Sequence, residues 1–371
     1  MITPNPGPPA TSSRATNTRF RRFLCYSSLL LAGAILSADD GALGLFRDHT
    51  DIGAPKHAGV VVHQAATNAY TVSGSGANMW FKADSFHYVW KKVEGDVAIE
   101  ADISFPQAGG NAHRKGVLMI RQTLDADAAY ADVALHGDGL TSLQFRETAG
   151  DVTHEVQCVV KAPRRVRLEK IGDYVYLSLV GEDGWAQPTG CSTRVEFKAS
   201  FYIGVGVCAH DENAFEQVVF SQVKIGAPMP GATTVHHSVE YVKVPSGDRV
   251  CLYPSGRTMD PVDWTKDEIW LYAVGGGDAL IALHAAQSTA KPAQASVAPQ
   301  PTNGTSPDGK WTATFEHQGG EAVLTLRATA DGRVRELMRL SDQADAPVAI
   351  AWSPDSTKIA YVRLQPAPAA K

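Results

Sequence analysis

From about Phe46 to Ile225 the chain alternates apolar and polar residues in short segments broken by Gly, Asp, Asn and Pro. The stretch Val97 to Phe105 alternates throughout, the pattern of a strand with one buried face. Val166 to Glu169, the pair Gly172-Asp173 and then Val175 to Leu179 predict a hairpin. Phe201 to His210 alternates again, and nothing in this region keeps a helical apolar period over three turns. The expectation is therefore a two-sheet sandwich or jelly roll over 46–225.

Gly226-Ala227-Pro228-Met229-Pro230-Gly231 supports neither a helix nor a central strand and marks a boundary. Beyond it the rhythm changes. Trp264-Thr265-Lys266-Asp267, Ser306-Pro307-Asp308-Gly309 and Trp352-Ser353-Pro354-Asp355 each precede an apolar run, and their aspartates stand 41 and 47 residues apart. That period suits propeller blades. Closed propellers use about four to eight blades, so three signatures over 232–365 predict a partial propeller whose open edge is available for pairing with another chain or for self-association. Gln287 to Thr305, rich in Ala, Pro, Ser and Gln, reads as a flexible insertion.

The first 38 residues carry Arg14, Arg19, Arg21 and Arg22, no acidic residue, and an apolar run from Phe23 to Ala38. This predicts a secretory signal cleaved near Ala38, and hence a periplasmic or secreted protein with no stable membrane span after cleavage. Its removal takes the formal charge from −5 to −9. Nucleic acid then lacks its electrostatic driving force. With 33 Gly and 21 Pro among 371 residues, turns are abundant and the fold class expected is all-β. Cys158, Cys191, Cys208 and Cys251 remain, none in a CxxC pair, which leaves both buried thiols and disulfides open.

The segments FRDHTDIG (46–53), NMW (78–80), FHYVWKK (86–92), HRKGVLMIRQTLDADAAYADVALHGDGLTSLQFRE (113–147) and YIGVGVCAHD (202–211) resemble a bacterial concanavalin A-like family of poorly defined function. That family often lies amino-terminal to a TolB-like propeller. WSPDSTKIAYV (352–362) is similar to TolB-like repeats. The resemblance implies an exported, carbohydrate-binding-like jelly roll joined to a propeller, and it carries no established reaction.

The segment 113–147 is the richest in chemistry. Taken as three strands, it separates Leu118/Ile120, Val133/Leu135 and Leu143/Phe145 from Arg121, Tyr130/Asp132/His136 and Gln144/Arg146. The polar set suits a polyhydroxylated ligand, with Trp80, Tyr88 and Trp90 as stacking surfaces. His210 joins them, and Gly204 and Gly206 on its face leave room for a close approach to the backbone. The same residues also fit a solvated face in which Arg121 and Asp132 form a cross-strand ion pair.

Asp125, Asp127, Asp132 and Asp138 raise calcium as a cofactor, although Asp-rich turns also form without metal, and no cofactor is otherwise expected. Neighbouring strand residues point to opposite faces, so His236-His237 does not serve one site. The reading favoured is non-catalytic recognition of a glycan or cell-envelope protein. Its rivals are a glycoside hydrolase or lyase using Glu100, Asp102 or Asp132 with His136, and an envelope assembly component.

Overall fold

In a computed structural model of the chain, residues 43–228, 237–255, 259–265, 268–273, 279–284, 289–293, 304–319, 321–340 and 349–364 are described. The expected leader and His236 lie outside them. Every regular element among the described residues is a strand, so the protein is all-β. None of them forms a helix long and apolar enough to cross a membrane.

The first strands are β1 (Asp48–Ile52), β2 (Val60–Gln64), β3 (Ala69–Gly76), β4 (Met79–Trp80), β5 (Ala83–Asp84) and β6 (Phe86–Val93). Next come β7 (Val97–Ser104), β8 (Lys115–Arg121), β9 (Tyr130–His136), β10 (Thr141–Arg146) and β11 (His154–Cys158). They are followed by β12 (Arg165–Ile171), β13 (Tyr174–Val180), β14 (Ala186–Arg194), β15 (Phe201–Cys208) and β16 (Asp211–Gly226). Beyond the boundary lie β17 (His237–Lys243), β18 (Arg249–Ser255), β19 (Met259–Trp264), β20 (Glu268–Ala273), β21 (Ala279–His284) and β22 (Thr289–Ala293). The last are β23 (Trp311–Gln318), β24 (Glu321–Ala328), β25 (Val334–Leu340), β26 (Ile350–Trp352) and β27 (Lys358–Leu364).

Two sheets form the sandwich. One runs β1-β6-β15-β8-β9-β10-β11 and the other β14-β13-β12-β7-β16-β3-β2. Between them lies the main core, which takes Ile99, Ala101 and Ile103 from β7 and Leu118, Ile120, Val133, Leu135, Leu143 and Phe145 from β8 to β10. The period-2 pattern thus sorts these strands as the sequence predicts. Gly172, with φ of +58°, occupies the first loop position of the β12–β13 hairpin, where glycine carries no steric cost.

The first sheet does not stop at β11. It continues through a parallel pairing to β18 and on to β17, β27 and β26, with Cys158 opposite Cys251. The group β18-β17-β27-β26 buries Val239, Ala351 and Ala360 toward the four-stranded sheet β19 to β22. Val242, Trp352, Ile359 and Tyr361 on its other face pack against the three-stranded sheet β23 to β25. Each turn signature leads into one of these three groups. Ser306 and Ser353 build the same turn: each hydroxyl donates to the aspartate two residues on and accepts the backbone N–H five residues on. The β18 edge is paired with the sandwich within the same chain, so it is not available for self-association.

Part of the expected flexible insertion is strand. Residues Thr289–Ala293 pair with β21 at the edge of their sheet, where Pro292 is tolerated because an edge strand need not donate on its outer side. Residues 294–303 lie outside the described part of the chain.

Candidate functional site

The face of β8 to β10 turned away from the main core is buried as well. Its apolar residues Val117, Met119, Tyr130 and Ala134 pack with Ile52, Met79, Phe86, Tyr88 and Cys208 in a second cluster. Its polar residues divide into two groups with opposite hydrogen-bonding fates.

The first group is fully engaged. Arg121 and Arg146, both fully buried, converge on the carboxylate of Asp84, at 3.3 Å and 2.8 Å respectively. The remaining donors of Arg121 go to the carbonyls of Thr123 and Asp125. Those of Arg146 go to Phe81, Ala128 and Asp151 carbonyls and the Thr153 hydroxyl. Tyr130 hydrogen-bonds Thr153 at 3.3 Å, and the Tyr88 hydroxyl donates to the Met119 carbonyl at 3.1 Å. Four of the ten residues expected to meet a ligand therefore bond within the protein: Arg121, Arg146 and Tyr130 hold loops in place and Tyr88 ties β6 to β8, the arginines because a buried guanidinium must place its donors on fixed acceptors. The expected Arg121–Asp132 ion pair gives way to Arg121–Asp84.

The second group is only partly engaged. Neither carboxylate oxygen of Asp132, nor His136 Nδ1, Ser142 Oγ or Gln144 Oε1, has a protein hydrogen-bond partner, and all are buried. Strand register explains the grouping: Asp132 is opposite Gln144, His136 is opposite Lys115, and Glu155 on β11 is opposite Gln144. The Gln144 amide nitrogen lies 3.4 Å from both His136 Nε2 and Glu155 Oε2. Lys115 donates to Asn78 Oδ1 at 2.9 Å, and Asn78 Oδ1 also lies 3.2 Å from His210 Nδ1. His113 brings a third ring, with centroids 5.4 Å from His210 and 6.1 Å from His136.

A residue at each end of this row lines a cleft. His136 lines a cleft of about 590 Å³ with Asn111, Arg114 and Asp138. Glu155 and Trp80 line another of about 760 Å³, closed on its far side by Asp248 and Arg249 and by Glu336 to Leu340. Trp90 belongs to neither; it sits edge-on against Tyr202 at 4.9 Å. The ten expected residues thus do not form one site. Asp132, His136 and Gln144 are brought together, with Trp80 and His210 at the margins.

Burial sets the electrostatics of the row. It raises the Asp132 carboxyl well above the usual carboxylate range, with the Asp84 charge adding and the Lys115 and Arg121 charges and nearby Gln144 backbone opposing. It pushes His136 down to about 3, assisted by the Lys115 charge. Burial also lowers Lys115. Near neutral pH the imidazole is uncharged and able both to donate and to accept.

Lys115 and Ser142 share the alternation that singled out Arg121 and Gln144, and extending that pattern along each strand would have found them. Asn78 and His113 come from loops, where no periodicity marks them. The glycines give no opening to a ligand: a Cβ at Gly204 would meet the Val89 carbonyl oxygen, and one at Gly206 the Phe86 ring. Among the described residues no group of three or more His, Cys, Asp or Glu side chains is placed to hold a metal ion. Asp125 instead accepts from the Thr123 hydroxyl and Asp138 from the Leu140 amide.

The carboxylates of the hydrolase reading are separated. Glu100 and Asp102 lie on β7 in the opposite sheet, facing away from the core. Glu100 is ion-paired to Arg167 and Lys224, and Asp102 to Arg164 and Arg165. Those cations hold Glu100 below its ordinary range against the opposing effect of burial.

No family model matches this chain, and no curated protein matches it. Among solved structures, it is similar to a functionally unknown protein from Saccharomyces cerevisiae, at 14% identity over 49% of this chain and 97% of that one, with a TM-score of 0.38. It is also similar to a GlcNAcα1-4Gal releasing endo-β-galactosidase from Clostridium perfringens, at 8% identity over 86% and 89% of the two chains, TM-score 0.34. A putative TolB from Agrobacterium tumefaciens gives 11% identity over 68% of this chain and 99% of that one, TM-score 0.15.

Proposed function

We propose that the protein is an exported, non-catalytic recognition protein whose sandwich binds an uncharged glycan of the cell envelope, with the carboxyl-terminal sheets serving as a protein-interaction module. The observation that carries this reading is the row Asp132, His136, Ser142 and Gln144, four buried polar side chains with hydrogen-bonding atoms that the protein leaves unmatched. Such atoms cost free energy until a ligand supplies their partners. Burial favours the uncharged forms of Asp132 and His136, and an uncharged set of donors and acceptors suits sugar hydroxyls better than it suits phosphate or carboxylate. Trp80, half-buried at the margin, offers an apolar face to a sugar ring.

The test is a glycan array probed with residues 39–371, followed by titration calorimetry on the best sugar with wild type, His136→Ala and Gln144→Leu. Each substitution is expected to weaken binding at least tenfold while the far-ultraviolet circular dichroism spectrum is unchanged. Undiminished binding by both folded variants would overturn the assignment.

A further inference from the structure

We propose that the joint between the sandwich and the carboxyl-terminal sheets is a disulfide-exchange centre, in which Cys191 bonds to Cys158 and Cys251 is the third, resident thiol. Three strands bring these residues together. Cys158 on β11 and Cys251 on β18 are direct partners in the parallel pairing that joins the two halves of the long sheet. Cys191 on β14, at the edge of the facing sheet, is in hydrogen-bonding contact with both thiols. All three are reduced here and lie in the main core, at 5%, 1% and 1% exposure.

The fourth cysteine of this region has different neighbours. Cys208 sits in the second cluster, facing the Gly76 and Ser85 carbonyls. Within the trio, the Cys251 thiol faces the Thr189 carbonyl at 3.3 Å, which makes Cys158 the first partner of Cys191. The next residue along β14, Ser192, accepts Arg363 of β27 through both its carbonyl, at 3.0 Å, and its hydroxyl, at 2.9 Å. A covalent bond at Cys191 would therefore fix β14 beside the contact that anchors the last strand.

The chemistry needs a disulfide donor, for which glutathione disulfide is the probe. The Cys158 thiolate attacks one glutathione sulfur, the glutathione S–S bond breaks, and the first glutathione thiol leaves. Cys191 then displaces the second glutathione from the mixed disulfide. Overall, two protein thiols are oxidised to one disulfide, and one glutathione disulfide is reduced to two glutathione thiols, which take up the two protons. Cys251, adjacent to Cys191, can attack its sulfur in turn, releasing Cys158 as a thiol with no net oxidation. The contact with Cys191 and then burial raise Cys158, and burial raises Cys191, above the ordinary thiol range, so exchange is slow in the closed fold.

The full chain is equilibrated across a series of glutathione redox buffers, alkylated, and digested without reduction for peptide mass mapping. The expected cross-link is Cys158–Cys191, moving to Cys191–Cys251 in Cys158→Ser. It is expected to be absent in Cys191→Ser and in Cys191→Ala, the second substitution guarding against a fold disturbed by the buried hydroxyl. The proposal is overturned if the wild type stays fully reduced in the most oxidising buffer. A cross-link involving Cys208, or a Cys158–Cys251 cross-link in both folded Cys191 variants, overturns it equally.

Discussion

Replacing Asp132 with Asn tests whether a carboxyl group is held in the fold without a partner. In the native protein its proton is bound more tightly than in the unfolded chain, where the group titrates near 3.8. As pH rises past that value the unfolded state releases the proton while the folded state keeps it. Stability therefore falls with rising pH until the folded carboxyl itself ionises. One proton of difference corresponds to a slope of about 1.4 kcal/mol per pH unit. His136 works in the opposite sense: it is depressed to about 3, so its contribution to stability grows as pH rises from there toward 6.5. Subtracting the variant from the wild type removes the His136 contribution and leaves that of Asp132. Urea unfolding followed by tryptophan fluorescence, from about pH 4 to about pH 8, gives both curves. The stability of Asp132→Asn relative to wild type is expected to climb across the acid range by up to about 1.4 kcal/mol per pH unit and then level off. Parallel curves, or a wild type that gains on the variant as pH rises, would refute the reasoning.

Three further outcomes are expected. Asp84→Ala leaves two buried guanidiniums without their shared carboxylate and should cost about 3–5 kcal/mol in urea unfolding; a loss below about 1 kcal/mol would mean that the carbonyl contacts alone hold the arginines. Gly204→Ala places a Cβ 2.0 Å from the Val89 carbonyl oxygen, so β6 and β15 must separate locally, at a cost of about 1–3 kcal/mol; an unchanged melting temperature would contradict this. Ser353→Ala removes a buried hydroxyl bonded to Asp355 at 2.6 Å and to the Lys358 amide at 2.9 Å. It should cost about 1–3 kcal/mol and speed hydrogen exchange at the Lys358 amide, the quantity to measure.

Strand faces were legible in the sequence because a buried face repeats every second residue. Leu118, Ile120, Val133, Leu135, Leu143 and Phe145 all lie in the main core, as their alternation requires. The second burial was not legible. Alternation separates the two faces of a strand, yet it does not say whether the polar face meets water or a covering loop. Arg121 and Arg146 look the same in either case, and what decides between them is Asp84, which lies 37 and 62 residues away in sequence. The turns before β23 and β27 were legible for a different reason: their hydrogen bonds span only two to five residues. The pairing of β11 with β18 had no local signal, since either strand would read the same at a free edge.

The two polar groups on the covered face explain each other. Replacing a buried ion cluster with well-packed apolar residues is often neutral or stabilising, so Asp84, Arg121 and Arg146 are not accounted for by stability alone. Their geometry shows what charge adds. The guanidiniums reach the carbonyls of Phe81, Thr123, Asp125 and Asp151, which ties three loops to strands β8 and β10. The first of these loops follows Asn78 and Trp80, one of which receives Lys115 while the other lines the cleft beside Glu155. On the reading proposed above, fixing that loop fixes the margin of the unmatched row before a ligand arrives, which would lower the ordering cost of binding. A face that gives each guanidinium nitrogen of two buried arginines a partner, yet leaves Asp132, Ser142 and Gln144 with unmatched atoms on the same strands, is not poorly packed. Of the row, His136 lines the cleft it shares with Asn111 and Arg114, so on the reading proposed above a ligand would meet the row from that end.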